Sequence, residues 1–343
     1  MKYKDIVVSI CAQFDAPQGH KAVPFLVGKP GGGKSSCARE IAAHLMKKHG
    51  IPEERVVEFN PSLREPSDIL GLPDLSGEFS RWIPPQEFYA IRRGQGASVL
   101  IIEELTDASM DMQNPLCRVI LDRYAGQMPL SEELYIIASG NRTEDKSGAC
   151  RLSTKLANRV RTIQFDESLP DWIEWAQGHD IPAPLIGFLS WKPNLLSDFD
   201  PSRAQNPTPR SWEDVARIPT TLPRALFREH VAGAVGEGAA AEYVGFLQIM
   251  ENLPDYDEVK THPETAEVPS DPSTMYALAC RISEDIDKKT AKSFLAYTAR
   301  LKPEFEVLIL KTISKDKRKR PIISTADFTK RMMANAKLIM GTN

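Results

Sequence analysis

Nothing in the 343 residues approaches the ~18 consecutive apolar positions that a membrane-crossing helix needs. The five cysteines, Cys11, Cys37, Cys117, Cys150 and Cys280, are odd in number, widely spaced and without a C-x-x-C pair. That pattern argues against a disulfide framework and against a zinc site. The six histidines are scattered, with none at metal-ligand spacing. Internal repeats and low-complexity tracts are also missing. The opening MKYKDIVVSICAQFD holds an apolar run of about seven residues with Asp5 beside it and no clear cleavage signal, which is poor material for a secretory leader. What remains is an intracellular, soluble protein, expected in the cytoplasm and away from membranes.

No charge of one sign dominates, since 43 Lys and Arg face 46 Asp and Glu for a net charge of −3. The balance hides an asymmetry. Residues 281–343 hold 15 basic and 7 acidic side chains, leaving a net −11 on the first 280 residues. A modestly basic tail on an acidic body suggests an acidic neighbour or partner, and only weakly nucleic acid.

Apolar residues make up 42% of the chain, enough for a sizeable core, and the length suggests about two domains. Short apolar runs alternate with helical patterns through the first half. Pro24–Val27, Arg55–Phe59, Val99–Ile102, Leu134–Ala138 and Val160–Phe165 read as strands. Between the first two lies Ser35–His49, a helix candidate with Ala38, Ile41, Ala42 and Leu45 on one face and Gly50 as its stop. Near-continuous apolar strands separated by helices imply a parallel sheet covered on both faces. Beyond about residue 168 the strand signals end. Leu185–Trp191, 224–250 and 275–313 read as helices, with a polar, proline-containing linker near Leu253–Pro272. A basic run, Lys315–Arg320, precedes a last amphipathic helix around Thr325–Ile339. The expected division is an α/β domain over 1–168, a helical lid over 169–255 and a helical extension over 256–343.

Gly28-Lys29-Pro30-Gly31-Gly32-Gly33-Lys34-Ser35 satisfies G-x-x-x-x-G-K-[ST], with a strand before it and an amphipathic helix after it. Glycines let backbone N–H groups turn inward around phosphate oxygens, and the helix start adds its positive end. Gly28, Pro30, Gly31, Gly32, Gly33, Lys34, Ser35 and Ser36 are therefore the candidate nucleotide-binding residues. Lys34 would reach the β- and γ-phosphates of ATP, and the Ser35 hydroxyl would ligate Mg²⁺. A Gly-rich surface turn is the plain alternative.

The strand Val99–Ile102 runs into Glu103 and Glu104. In ATPases built this way the usual order is Asp then Glu, the first holding the metal shell and the second polarising the attacking water. Glu103 takes the Asp place with one extra methylene. The competing account is an acidic cap opening a helix over Leu105–Leu121.

From about residue 20 to residue 215 the chain resembles the MoxR-type branch of the AAA+ ATPases, the dynein-related AAA subfamily. The motifs carrying the resemblance are the phosphate loop, Asp68-Ile69-Leu70-Gly71 through Gly77-Glu78-Phe79 and Pro84-Pro85, Met112–Arg123 with Gly126, and Leu134–Asn141. To these add Leu156–Val160 and Pro209-Arg210-Ser211-Trp212. The resemblance implies a P-loop core with a five-stranded parallel sheet in the order 5-1-4-3-2, followed by an α-helical lid. It also implies roles: Asn141 as sensor 1, Arg159 as a finger reaching the neighbouring subunit's nucleotide, and Arg210 as sensor 2. With Glu104 and Lys34 these form the expected catalytic set, and Ser35 and Glu103 the expected metal set. Arg151 and Arg161 are rivals for the finger, and strand alternation would put Arg159 and Arg161 on one face.

The family further implies a homo-oligomeric, hexameric ring that remodels or matures a client protein, one with a von Willebrand factor A domain being an option. A nucleic-acid-linked motor and a non-hydrolysing scaffold are the alternatives. Phe79 and Trp82 are expected to pack the insertion onto its own body rather than grip a polypeptide, Trp172 and Trp175 to mark a helix packing face, and Lys317–Arg320 to be a solvated charge run.

Overall fold

The computed structural model describes residues 1–145, 150–253 and 256–340. It divides into two units, Met1–Ser168 with Asp200–Ser202, and Leu169–Phe199 with Arg203–Asn343. The boundary expected after residue 255 falls at the edge of a segment, 254–255, that lies outside the described residues.

The first unit is a parallel sheet of β1 (Pro24–Gly28), β2 (Val56–Phe59), β3 (Ser98–Ile102), β4 (Leu134–Asn141) and β5 (Arg161–Gln164), in the order β5-β1-β4-β3-β2. The order is 5-1-4-3-2. Every residue of β1 and β3 is buried, as their unbroken apolar runs require. Successive side chains point to opposite faces, so one strand feeds two cores. Phe25, Val27, Leu100, Ile102 and Ile136 join Met112, Leu116 and Ile120 of α3 (Met110–Asp122). Leu26, Val99, Ile101 and Ile137 face the other way, onto α1 (Tyr3–Asp15) and α2 (Lys34–His49). The α2 stripe Ala38, Ile41, Ala42 and Leu45 lies wholly within that second core.

Several local expectations need correction. The helix after the acidic pair begins at Met110, capped by the Ser109 side chain, rather than at Leu105. Glu104 instead opens a single turn, Leu105–Asp107, from a left-handed conformation with φ 51°. Arg159 and Arg161 do not share a strand face. β5 starts at Arg161, where pairing with Pro24 begins, and Arg159 sits in the turn after the short helix Thr154–Ala157. Phe79 is 80% exposed and Trp82 42% exposed. They belong to a hairpin of two three-residue strands, Leu72–Asp74 and Arg81–Ile83, whose side chains stay out of both sheet cores.

The second unit is helical. Trp212, Phe188, Tyr243 and Phe246 centre one of its cores, which also takes in Trp172 and flanking Trp175, as expected of a packing face. Phe294, Tyr297, Ile309 and Ile313 centre another. The 224–250 segment is two helices broken at Gly236, whose φ of 85° favours glycine. The supposed linker contains a helix, Tyr256–Thr261, with Val259 buried. The last helix is two pieces, Ala326–Ala334 and Ala336–Met340, interrupted at Asn335. Asn335 leaves the helical path to donate Nδ2–H to Glu306 Oε2 at 2.9 Å. Arg331 makes a bidentate pair with the same carboxylate at 2.5 and 2.7 Å.

Glu306 is 3% exposed, so its charge depends on these two partners. Glu306→Ala leaves the Arg331 guanidinium without its carboxylate and Asn335 Nδ2 with the Arg331 carbonyl alone, and should cost about 3–5 kcal/mol, read as a lower denaturant midpoint. An unchanged midpoint would show the triad to be stabilising nothing.

Candidate functional site

β1 and β4 are neighbours and pair Gly28 with Asn141, so the start of the phosphate loop and the expected sensor residue lie side by side at the strands' carboxyl ends. The loop runs through Lys29, Pro30, Gly31, Gly32 and Gly33 into α2, which holds Lys34, Ser35 and Ser36 in its first turn. Gly33 has a φ of 101°, a conformation that strains other residues. Gly28 is required for a different reason: a Cβ there would lie 2.6 Å from the Phe165 carbonyl oxygen.

Lys34 is 8% exposed. Its ammonium donates to the Gly28 carbonyl at 2.9 Å, the Lys29 carbonyl at 2.6 Å and Asn141 Oδ1 at 3.0 Å. Such a cation can stay buried only where oxygens replace its lost water. The side chain is thus folded over the loop, touching Asn141 across the sheet.

β3 lies on the far side of β4 and pairs Ile102 with Ala138. One residue further on, Glu103 meets Ser139. Glu103 Oε2 accepts the Ser139 hydroxyl at 2.8 Å and the Ser35 hydroxyl at 2.6 Å. Its other oxygen, Oε1, is buried without a hydrogen-bond partner among the described residues, with Arg39 Nη2 4.0 Å away. A hydroxyl beside a buried carboxylate whose second oxygen is unsatisfied is an oxygen donor set suited to Mg²⁺. Glu103 thus spans to Ser35 despite standing where an Asp is usual.

A cavity of about 350 Å³ opens beside Ser35, lined among others by Arg39, Glu58, Asn60, Glu103 and Glu104. Arg39 holds Glu58 through two 2.8 Å hydrogen bonds, which keep the Glu58 carboxyl below its ordinary range. Glu104 is exposed at this cavity. Its Oε2 accepts Asn60 Nδ2–H at 2.9 Å and lies 3.2 Å from the Ser62 hydroxyl. Asn60 Oδ1 is occupied by the Ser62 backbone N–H at 3.0 Å, which orients the amide so that Nδ2 faces Glu104. Asp107, nearby, has its carboxyl pushed above the ordinary range by burial.

Lys34, Ser35, Glu103 and Asn141 are therefore in direct contact as a chain, with Glu104 on the adjoining cavity. Arg159 is elsewhere on the same unit, and its guanidinium makes no hydrogen bond or ion pair among the described residues. Of its rivals, Arg151 is exposed and Arg161 donates to Gln13 Oε1 at 2.6 Å. Arg210 belongs to the second unit, exposed in the first turn of the helix Pro209–Val215, which Thr208 and Ser211 close in a reciprocal capping box. Asn60, Ser62 and Ser139 escaped the sequence reading. No sequence motif marks them; the strand order brings the end of β2 beside the acidic pair.

In the basic run, Arg318 turns back on Asp316 at 2.8 Å, and Lys319 donates to the carbonyls of Glu284 and Ile286 at 2.6 Å each. Arg318 stays 87% exposed, as a solvated run would have it, while Lys319 is held by the backbone. No described helix is long and apolar enough to cross a membrane.

Glu103→Gln keeps an oxygen near Ser35 but removes the negative charge. The Mg²⁺ concentration that gives half-maximal turnover should rise about tenfold or more, while metal-free nucleotide binds as before. An unaltered Mg²⁺ dependence would remove Glu103 from the metal shell.

Residues 24–160 match the family model described as the AAA domain of the dynein-related subfamily, a match over less than half of the chain. No curated protein matches the chain. Among solved structures, NtrX from Brucella abortus is 15% identical, over 99% of this chain and 68% of that one, with a TM-score of 0.42. The same protein in complex with ADP gives 16%, 98%, 67% and 0.42. A RuvB point mutant from Thermotoga maritima is 14% identical over 87% of each chain, with a TM-score of 0.39. Scores this low support no inference about this protein. The family match spans the phosphate loop, the acidic pair and Asn141: over residues 24–160 the chain is similar to the AAA domain of the dynein-related subfamily.

Proposed function

We propose that the chain is a MoxR-type AAA+ ATPase that hydrolyses ATP as a ring-shaped, hexameric homo-oligomer in the cytoplasm and uses the cycle to remodel or mature a partner protein. The observation that carries this reading is the unbroken contact from Asn141 to Lys34 and from Ser35 to Glu103. Three strands and one helix start converge there, at the strands' carboxyl ends, where open α/β sheets bind ligands.

In this reading the loop amides of Gly31, Gly32 and Gly33 surround the β-phosphate. Lys34 exchanges its carbonyl partners for β- and γ-phosphate oxygens, keeping Asn141 within reach of the same group. Ser35 and Glu103 would hold Mg²⁺, whose charge would offset that of the triphosphate. Glu104, released from Asn60, takes a proton from water as the water oxygen bonds to the γ-phosphorus and the bond to ADP breaks. Arg159 reaches the neighbouring subunit's nucleotide, and charge stabilisation of that kind is worth ~10³–10⁵ in rate. Arg210 senses the γ-phosphate from a lid formed by residues 169–255, with residues 256–343 as a helical extension. A client bearing a von Willebrand factor A domain fits the family's habit. Lys319 is withdrawn from the basic run by two backbone carbonyls, which lowers the charge it could offer to nucleic acid.

Steady-state phosphate release should fall about a hundredfold or more in Glu104→Gln, with ATP binding retained. Arg159→Ala should bind ATP, assemble and hydrolyse poorly, and mixing it with Glu104→Gln should restore part of the turnover. If wild type releases phosphate no faster than Glu104→Gln, the chain is a nucleotide-dependent scaffold instead. No restoration in confirmed mixed assemblies would rule out a finger acting across subunits.

A further inference from the structure

Gln113 stands out among the buried polar groups of the first unit. It lies on α3, is 1% exposed, and uses both ends of its amide. The two ends of the amide cannot be exchanged here: Nε2 donates to the Ala108 carbonyl at 3.3 Å, and Oε1 accepts the Ser153 backbone N–H at 2.7 Å. Turning the amide over would set oxygen against oxygen and N–H against N–H, leaving two buried groups unsatisfied.

The two groups that it joins are far apart in sequence and close to chemistry. Ala108 ends the single turn that Glu104 opens. Ser153 is the N-cap of the helix Thr154–Ala157, which ends one residue before the turn holding Asn158 and Arg159. A second bond runs in parallel, from the Cys150 backbone N–H to the Thr106 carbonyl at 2.6 Å. Thr106 also accepts the Asn141 backbone N–H on its hydroxyl at 2.9 Å. The turn after Glu104 is thereby tied to the sensor strand on one side and to the arginine-bearing segment on the other.

We infer that Gln113 is a positioning residue that fixes the Arg159 segment to the turn following Glu104, so that the finger offered to one subunit is set by the site of another. This rests on the function proposed above. The direction follows from the other supports. Glu104 is held independently by Asn60 and by the end of β3. The segment around Arg159 has Leu156 in the core, and the Arg159 guanidinium makes no bond among the described residues. Removing Gln113 therefore loosens the arginine segment more than it disturbs Glu104.

The test is Gln113→Met, which keeps the volume and loses both hydrogen bonds, with Ser153→Pro removing the same N–H from its other end together with the Ser153 cap on Leu156, and Ser153→Ala, which loses the cap alone, as its control. Neither residue contacts the phosphate loop. Both variants should bind ATP as wild type does, with kcat lowered on the order of tenfold to a hundredfold and KM little changed. Amide hydrogen exchange over 150–158 should quicken while that of β1 and β4 does not. Mixed with Glu104→Gln, whose finger is intact, each should regain turnover as Arg159→Ala does. Wild-type kcat in both variants overturns the inference. So does a failure to regain turnover in mixtures where Arg159→Ala succeeds, since the defect then lies in the variant's own site. If Arg159→Ala also fails to recover, the finger across subunits is itself wrong and Gln113 has nothing to position. Should Gln113→Met unfold, Ser153→Pro alone decides by the same readings.

Discussion

A buried ammonium needs oxygens around it, and the Lys34 side chain finds them on two different strands. Two are carbonyls of the loop that it follows, and one is the amide of Asn141 on β4. That small cluster joins the loop, the first turn of α2 and the middle of the sheet. Losing water from a lysine head costs several kcal/mol unless such partners are provided. The loop is therefore shaped around the charge that will meet phosphate. Ser35, next along α2, reaches Glu103 in the same way, so the cation side of the site is built from the same helix turn.

The topology is what makes these contacts possible. Order β5-β1-β4-β3-β2 puts the loop strand beside the sensor strand and the sensor strand beside the acidic strand. Parallel pairing then brings all three carboxyl ends to one edge. Apolar side chains on alternate faces bind the sheet to α3 on one side and to α1 and α2 on the other. At about 25 cal/mol per Å² of buried apolar surface, this packing supplies the dominant favourable term. The polar site lies at its margin, where backbone groups at strand ends are free to bind.

Much of this was legible from residue types alone. Five strands, the loop, its helix and the acidic pair stand out because burial on both faces demands unbroken apolar runs, and phosphate binding demands glycine. The contacts of Asn60, Ser62 and Gln113 were not legible. A single amide or hydroxyl carries no periodic signal, and its partner is chosen by which strands happen to lie together. Phe79 and Trp82 misled for a related reason: apolar residues are expected inside, yet a hairpin of two three-residue strands has too little surface to cover them. Helix ends were misjudged where one residue decides the break, as at Gly236, by its positive φ, and at Asn335, by its bond to Glu306.

In the helical unit the sequence pattern located apolar stretches well and their interruptions poorly, and its two cores are centred on aromatic side chains. Arg210 opens a helix whose start is fixed by a reciprocal cap, which leaves its side chain outward and available. The most direct measurement is a calorimetric titration of ATP with Mg²⁺ into the wild-type chain and into Lys34→Ala, with folding checked by circular dichroism. Saturable binding that weakens steeply or vanishes in the variant is expected if residues 28–35 enclose the triphosphate. Equal affinity in a folded Lys34→Ala chain would place the nucleotide somewhere else.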